Sequence, residues 1–540
     1  MTTPDPRLRD IQAAMRMGDV ARAGELAERA LATGLDHPHV LTLAAYRRMG
    51  AGDHAGALPL AERASLLSPR NIDALSAVGT CLMHLDRPGE AAAAFGKAIA
   101  IDAGDPQLHL EAGAALEAAK EYKRAVEEYE RAFALDPANA DAAARLAFLS
   151  STRGDMVKAR EAGLKALALD RRQAFASLAV ALADIDAGAY EAARKRLEGV
   201  VAFPNVGRIM QALALNVMGD ALDGMGRSGD AYAAYAQSGR MRHEIYLPET
   251  ASAGETGLPR ARRITDYMKR STASWPGDGA DKAGRGSRVK THAFLVSFPR
   301  SGTTLLSHVL DAHPKIVSLD EKRTLADSIQ LTTTDQGLDR LAAMGEDELE
   351  PLREAYWRRV EAHGFSGSPD VLVDKMPLYS DLLCLVARLF PQAKILFALR
   401  DPRDVVFSCF RRRFSMTRQN FELLTLESTS RYYDAIMGLS DIYRDKVPLP
   451  FFDTRHEDLV ADFEGRTEAL CDFLGVGFDA QVKDFAARAR TRDIATPNAA
   501  AIGRGISRDR TEQWRAYAPH FEPVMPILKP WIARFGYPKD

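Results

Sequence analysis

Along the first half of the chain, small residues return every 34 positions between more variable polar ones. Ala45, Gly79, Gly113, Ala147 and Ala181 form one column. Ala23, Ala57, Ala91, Ala125, Ala159 and Ala193 form a second, and Ala30, Ala64, Ala98, Ala132 and Ala166, closed by Val200, form a third. The first and second columns are offset by 12 residues and the second and third by 7. Seven residues make about two helical turns, so the last two columns share one face of one helix and the first column lies on the helix before it. Small side chains at a helix crossing let the two backbones approach, and successive hairpins then stack. Turn signals fall where this scheme needs them. Met17-Gly18-Asp19, Ala51-Gly52-Asp53 and Gly154-Asp155 separate the paired helices, while Ser68-Pro69 and Asp136-Pro137 end the second helix of a pair.

The period and offsets match the tetratricopeptide repeat (TPR), in six copies held in register, and a looser seventh copy is expected over Ile209–Arg242. The expectation is an all-α repeat solenoid over residues 1–246. The resemblance implies a concave groove that takes a peptide or a partner domain, or an array that serves only as a scaffold. From Pro248 the pattern dissolves. ARRITDYMKRS can form one helix, and STASWPGDGADKAGRGSRVK is rich in Gly, Ser and charge, so residues 247–289 are expected to be linker and loop.

From residue 290 the pattern changes to short apolar runs, each followed by charged residues and a helical stretch. Phe294 to Phe298 predicts a buried strand, Pro299-Arg300-Ser301-Gly302-Thr303-Thr304 a turn, and Thr304 to Asp311 a helix. Such a strand–turn–helix unit aims backbone N–H groups and a positive helix end at one anionic oxygen cluster. Thr303 and Thr304 add hydroxyl donors and Arg300 a fork of N–H groups. GxxxxGK[ST] is absent, which disfavours a kinase or NTPase built on that loop. Val371–Val373 predicts a second strand ending at Asp374-Lys375, and Lys394–Leu399 a third ending at Arg400, with a helix carrying Ser408 beyond it. Parallel sheets bind ligands beyond the carboxyl ends of their strands. Arg300, Lys375 and Arg400 are therefore expected at one edge, with pairing to Asp401 or Asp404 the alternative for Arg400.

Composition narrows the classes without choosing among them. Apolar residues make up 46% and charged residues 27% of 540, and 71 Lys+Arg against 73 Asp+Glu leave a formal charge of -2. That balance argues against a nucleic-acid-coating protein. The four cysteines, Cys81, Cys384, Cys409 and Cys471, show neither metal-ligand nor disulfide spacing. With no secretory leader and no membrane-spanning run in the sequence, the expectation is a cytoplasmic protein without a metal site.

Together, these second-half motifs resemble the sulfotransferase superfamily. FPRSGTT is similar to its loop for the 5′-phosphosulfate of PAPS (3′-phosphoadenosine 5′-phosphosulfate), and Arg400 with Ser408 to its pair for the 3′-phosphate. Order and spacing are closest to the protein-tyrosine sulfotransferases and to bacterial fusions of repeats with a sulfotransferase. The carriers are Leu310-Asp311-Ala312-His313-Pro314, then Asp320-Glu321 and Arg323, then TRHEDLVADFEGRTEALCDFLGV (454–476) and TPNAAAIGRGISRDRTEQWRAY (496–517). The resemblance spans about residues 290 to 537 and implies an α/β P-loop-like sulfotransferase domain with a central parallel sheet over 290–540. It places Glu321 at the catalytic base, with Asp320 its nearest competitor and His308 and His313 weaker ones. Arg300, Ser301, Gly302, Thr303, Thr304, Arg400 and Ser408 fall at the donor. The branch's lysine before tryptophan is replaced by Gln513 before Trp514; Arg504, Arg508, Arg510 and Arg515 are nearby, and Arg504 is the one expected at the donor. The run Arg411-Arg412-Arg413 is either a phosphate contact through Arg412 or a solvated helix end. The implied reaction moves a sulfuryl group from PAPS to a hydroxyl of a protein, peptide or saccharide, with Arg300 and Lys375 stabilising charge. The alternative is a repeat adaptor whose second half binds nucleotide without chemistry.

Overall fold

The computed structural model of the chain describes residues 5–203, 206–273, 275, 287–365, 369–491 and 511–539. Two compact units divide it at residues 203 and 204.

Among the described residues the first unit is all helical, twelve helices from α1 (Pro6–Arg16) to α12 (Tyr190–Ala202) arranged as successive hairpins. Every residue of the three 34-residue columns is buried. The reason for small side chains is direct at two of them. A Cβ on Gly79 would stand 2.6 Å from the Phe95 ring, and one on Gly113 2.6 Å from the Tyr129 ring. Each aromatic lies 16 residues on, in the second helix of the same hairpin. At the Ala147 hairpin the residue 16 on is itself small: a Cβ on Gly163 would lie 3.6 Å from the Ala147 methyl and 2.6 Å from Val180 of the next hairpin. The Gly-Asp turns also have a local cause. Gly18, Gly52 and Gly154 adopt φ of 73°, 80° and 89°, and the aspartate after each caps the next helix by accepting the N–H of Arg22, Gly56 or Lys158.

The second unit begins with a helical hairpin, α13 (Arg208–Gly224) and α14 (Ser228–Ala253), followed by α15 (Gly257–Arg270). The seventh repeat copy expected at Ile209–Arg242 thus lies in the second unit, whereas the sequence pattern carried the array to residue 246. Its packing shows why the pattern continues: Gly219 sits against the ring of Tyr235, again 16 residues on. α14 runs past Pro248 to Ala253, and α15 confirms a helix in ARRITDYMKRS.

Beyond these lies a sheet of five strands, β1 (Thr291–Val296), β2 (Ile316–Asp320), β3 (Val371–Lys375), β4 (Lys394–Leu399) and β5 (Phe451–Arg455), in the order β2-β3-β1-β4-β5. Every pairing is parallel. The crossovers include α16 (Thr303–Asp311), α17 (Asp335–Ala343), α18 (Glu346–Ala362), α19 (Leu383–Leu389), α20 (Pro402–Phe410) and α21 (Leu426–Lys446). Alternate strand residues enter two separate cores. Ala293, Leu295, Val371, Val373 and Leu396 face one, and Phe294, Val296, Leu372, Ile395 and Phe397 the other. A sheet covered on both faces needs apolar residues at every position, which is why these strands read as short continuous apolar runs. Among the described residues no helix is long and apolar enough to cross a membrane.

The repeat contacts make a testable contrast. Gly113→Ala drives a methyl into the Tyr129 ring and is expected to cost about 1–3 kcal/mol. Gly96→Ala, on an exposed helix position with nothing near the new methyl, is expected to gain roughly 0.5–1 kcal/mol. Urea unfolding followed by circular dichroism measures both, and equal effects would rule out ring packing as the cause of the small-residue column.

Candidate active site

All five strands point the same way, so their carboxyl ends share one edge. The register sets three of them level: Leu295 and Asp320 both pair with Lys375. The chain leaves β1 through 297–302, and this loop is tied down from several directions. The Ser297 N–H donates to the Pro377 carbonyl at 3.0 Å, the Ser380 hydroxyl to the Ser297 carbonyl at 3.2 Å, and the Cys409 thiol to the Pro299 carbonyl at 3.3 Å. Arg300 and Gly302 take φ of 71° and 98°. For Arg300 this left-handed backbone is a strained choice, the kind of outlier that gathers at ligand sites. For Gly302 it is permitted, and a Cβ there would come within 3.0 Å of His456 Nδ1. Helix α16 starts at Thr303 with no side chain capping it, so its first N–H groups and its positive end face the loop. Ser301 and Thr303 are buried, while Thr304 is partly exposed.

The predicted cations converge on this edge. Arg300 Nε donates to Ser408 Oγ at 2.9 Å, linking the loop to α20. Arg400, buried at the end of β4, lies 3.4 Å from Asp404, the pairing weighed as its alternative. Asp404 also accepts the N–H groups of Glu512 (2.7 Å) and Trp514 (3.1 Å), so it anchors the C-terminal segment as well. Lys375 is fully buried, and its Nζ lies 2.5 Å from Asp320 and 2.8 Å from Glu321. An ammonium in such a place needs close anions, because burying it alone would cost several kcal/mol or more. Glu321 adopts a φ of 52°, and its N–H donates to the Lys375 carbonyl at 2.8 Å. Of the two carboxylates Glu321 is the more accessible, with a side chain 48% exposed against 29% for Asp320.

Behind Lys375 lies a buried polar cluster. Asp374 accepts hydrogen bonds from Thr324 (2.6 Å) and Tyr356 (3.1 Å), and Tyr379 accepts the Leu325 N–H at 3.1 Å. These contacts pin the loop that follows Glu321. Burial pushes the Asp374 carboxyl up from 3.8 to about 7, against the two hydroxyls that donate to it. His456 follows β5. Burial, aided by the Arg400 charge, lowers it to about 4, and its Nδ1 has no hydrogen-bond partner among the described residues.

Other sequence candidates lie outside this cluster. His313 is a structural joint: one ring nitrogen accepts the Lys315 N–H and the other meets the Gly477 carbonyl at 2.8 Å. Arg411 and Arg413 are not a solvated helix end, because each pairs with an aspartate of α13, at 3.1 and 2.6 Å. Arg412 lies between them. Arg504, with Arg508 and Arg510, is outside the described residues. Sequence reasoning missed the double contact of Lys375, the buried role of Asp374 and the position of His456. Only Asp374 left a signal, as a carboxylate inside an apolar strand. Among the described residues no group of three or more His, Cys, Asp or Glu could hold a metal ion.

Comparison with known proteins supplies the context. The profile described as "Sulfotransferase family" matches residues 293–480, and that of the tetratricopeptide repeat matches 48–116. An uncharacterized protein of Aquifex aeolicus is 25% identical over 274 residues, covering 47% of this chain and 34% of its own. The protein-tyrosine sulfotransferase 1 of Mus musculus is 33% identical over 129 residues, covering 23% of this chain and 35% of its own. An omega-hydroxy-beta-dihydromenaquinone-9 sulfotransferase of Mycobacterium bovis is 29% identical over 136 residues, covering 24% and 35%. The chain therefore spans about a third of the length of these relatives.

Asp374 makes the site's energetics testable by pH. Its folded-state affinity for the proton exceeds that of the unfolded chain, so the stability it contributes is complete below about 3.8 and is lost as pH rises through about 7. Between pH 5 and 8 the wild type should lose on the order of 2–3 kcal/mol relative to Asp374→Asn. Thermal melts of the two proteins across that range check it, and parallel pH profiles would contradict the buried carboxyl.

Proposed function

We propose that this chain, a tetratricopeptide-repeat protein with a sulfotransferase-like second half, transfers a sulfuryl group from PAPS to a hydroxyl acceptor. The single observation that carries the reading is the level alignment of the strand ends. It sets a glycine-bearing loop with an uncapped helix end beside Lys375, Arg400 and an accessible carboxylate, Glu321.

The residues suit an adenosine donor with phosphate at both ends. The loop 299–304 offers N–H groups, the Thr303 and Thr304 hydroxyls and the Arg300 fork to a phosphosulfate, and the orphan Nδ1 of His456 faces the same loop. Arg400 and Ser408 would hold the 3′-phosphate. Bound there, the donor supplies a sulfuryl group on a phosphate leaving group.

Transfer of this kind needs little covalent help from the protein; positioning and charge stabilisation dominate, as in phosphoryl transfer. Glu321 takes the proton of the acceptor hydroxyl as the new O–S bond forms and the S–O bond to phosphate breaks. Lys375 Nζ, already against Glu321, and the Arg300 guanidinium stabilise the charge that moves onto the bridging and sulfuryl oxygens. The fixed loop N–H groups do the same without reorganising. Burial of Lys375 keeps water from weakening its field. The acceptor is a hydroxyl of a protein, peptide or saccharide, and a repeat groove suits a peptide.

Isotope-labelled PAPS offered with tyrosyl peptides and glycans tests the reading, and label transfer is the expected result. Glu321→Gln should then lower turnover roughly 10²–10⁴-fold while the affinity for PAP, the desulfated nucleotide, stays within about threefold. Unchanged turnover excludes Glu321 as the base. Saturable PAP binding without transfer to any acceptor would instead favour a nucleotide-binding adaptor.

A further inference from the structure

We propose that the hairpin α13–α14 is a positioning element of the donor site, with Asp220 and Asp223 holding in place the segment from which Arg412 extends. The inference rests on the donor reading above, with Ser408 at the 3′-phosphate, and adds Arg412, four residues further on, as a second phosphate contact.

The contacts form a paired clamp. Asp223 accepts the Tyr517 hydroxyl on one oxygen at 2.5 Å and faces Arg411 Nη1 with the other at 3.1 Å. Asp220 repeats the arrangement, accepting the Tyr235 hydroxyl at 2.8 Å and Arg413 Nη1 at 2.6 Å. In each case a tyrosine fixes the carboxylate and an arginine of the run takes what remains. Asn216, buried on α13, closes the gap: its amide nitrogen donates to the Arg411 carbonyl at 3.3 Å and its oxygen accepts Arg413 Nη1 at 2.9 Å. Arg242 of α14 donates to the Phe414 carbonyl at 2.8 Å. Both neighbours of Arg412 are therefore held through side chain or backbone, and the backbone bearing Arg412 is fixed with them.

Apolar contacts fix the same segment. Phe410, the last residue of α20, has Tyr232 and Tyr235 of α14 around it, with ring centroids at 5.6 and 6.2 Å. Gly239 lets α14 approach the Leu424 carbonyl so closely that any Cβ would collide with it. Arg411 also extends Nη2 to Gln513 Oε1 at 2.8 Å. Through Arg411 and Tyr517 the clamp thus reaches the described end of the stretch 496–517 that carries the family resemblance. Partly buried ion pairs with tyrosine support lose much when one partner is removed, because the other is left charged and unmatched. A residue that acts this way alters how well a phosphate contact is preorganised, and so donor affinity more than the chemical step.

The test uses the full chain, with PAP titration by calorimetry and steady-state kinetics with PAPS and an acceptor that accepts label. Asp220→Asn and Asp223→Asn should each weaken PAP binding and raise the donor KM by about tenfold, with kcat at saturating donor within about twofold. Asp230→Asn, which breaks an exposed pair with Arg227 on the same hairpin, should change neither. Asp220→Asn combined with Arg413→Gln should bind PAP no more weakly than the weaker single variant, since both changes break one contact. Should an aspartate variant fail to fold, Arg413→Lys, which keeps the charge and loses the fork, reads the same coupling and is expected to weaken PAP binding. Unaltered PAP affinity in the folded variants, or kcat falling in step with affinity, overturns the positioning role. Loss of PAP binding in the wild type itself would overturn the donor reading on which it rests.

Discussion

An ammonium buried at the end of a strand has to be matched by anions within a few ångströms, and Lys375 meets that demand with Asp320 and Glu321. Much of the second unit follows from keeping those three groups together. Parallel pairing of β2 with β3 puts Asp320 opposite Lys375, and the left-handed turn at Glu321 bends the chain back so that its carboxylate reaches the same nitrogen. Below them, Asp374 and its hydroxyl partners hold the outgoing loop. The central strand β1 then delivers the loop 297–302 to the same edge, and β4 delivers Arg400. The edge thus gathers Lys375 matched by two carboxylates, Arg400 beside Asp404, and the N–H groups of the loop, the set on which the proposed donor reading draws.

The repeat pattern and the α/β pattern meet in one element. Gly113 with Tyr129 and Gly219 with Tyr235 are the same contact at the same separation. In the first unit the helices that carry such pairs stack on further hairpins of their own kind. In α13–α14 the polar face instead meets arginines of the sheet-containing fold. A small-residue contact inside a hairpin says nothing about what its outer face will bind, so one repeat unit can serve either partner.

That is also where sequence reading stops. The small-residue columns were legible because close helix packing leaves one narrow choice of side chain at a fixed spacing. The strand ends at Lys375 and Arg400 were legible because an apolar run that stops at a cation is rare. β2 was not, since Ile316–Asp320 is short, lies at the sheet edge and mixes polar residues into its run. Pro248 suggested a break, but α14 continues through it to Ala253. The partners of Arg411 and Arg413 lie roughly 190 residues away in sequence, and no local pattern can announce a pairing at that distance. His456 reads as one polar residue after a strand; only the fold puts its orphan nitrogen against Gly302.

A crystal structure with PAP would show where the nucleotide sits. Its 5′-phosphate is expected on residues 299–304 at the start of α16 and its 3′-phosphate against Arg400 and Ser408. Nucleotide bound elsewhere, or this edge left without nucleotide at saturating PAP, would contradict it.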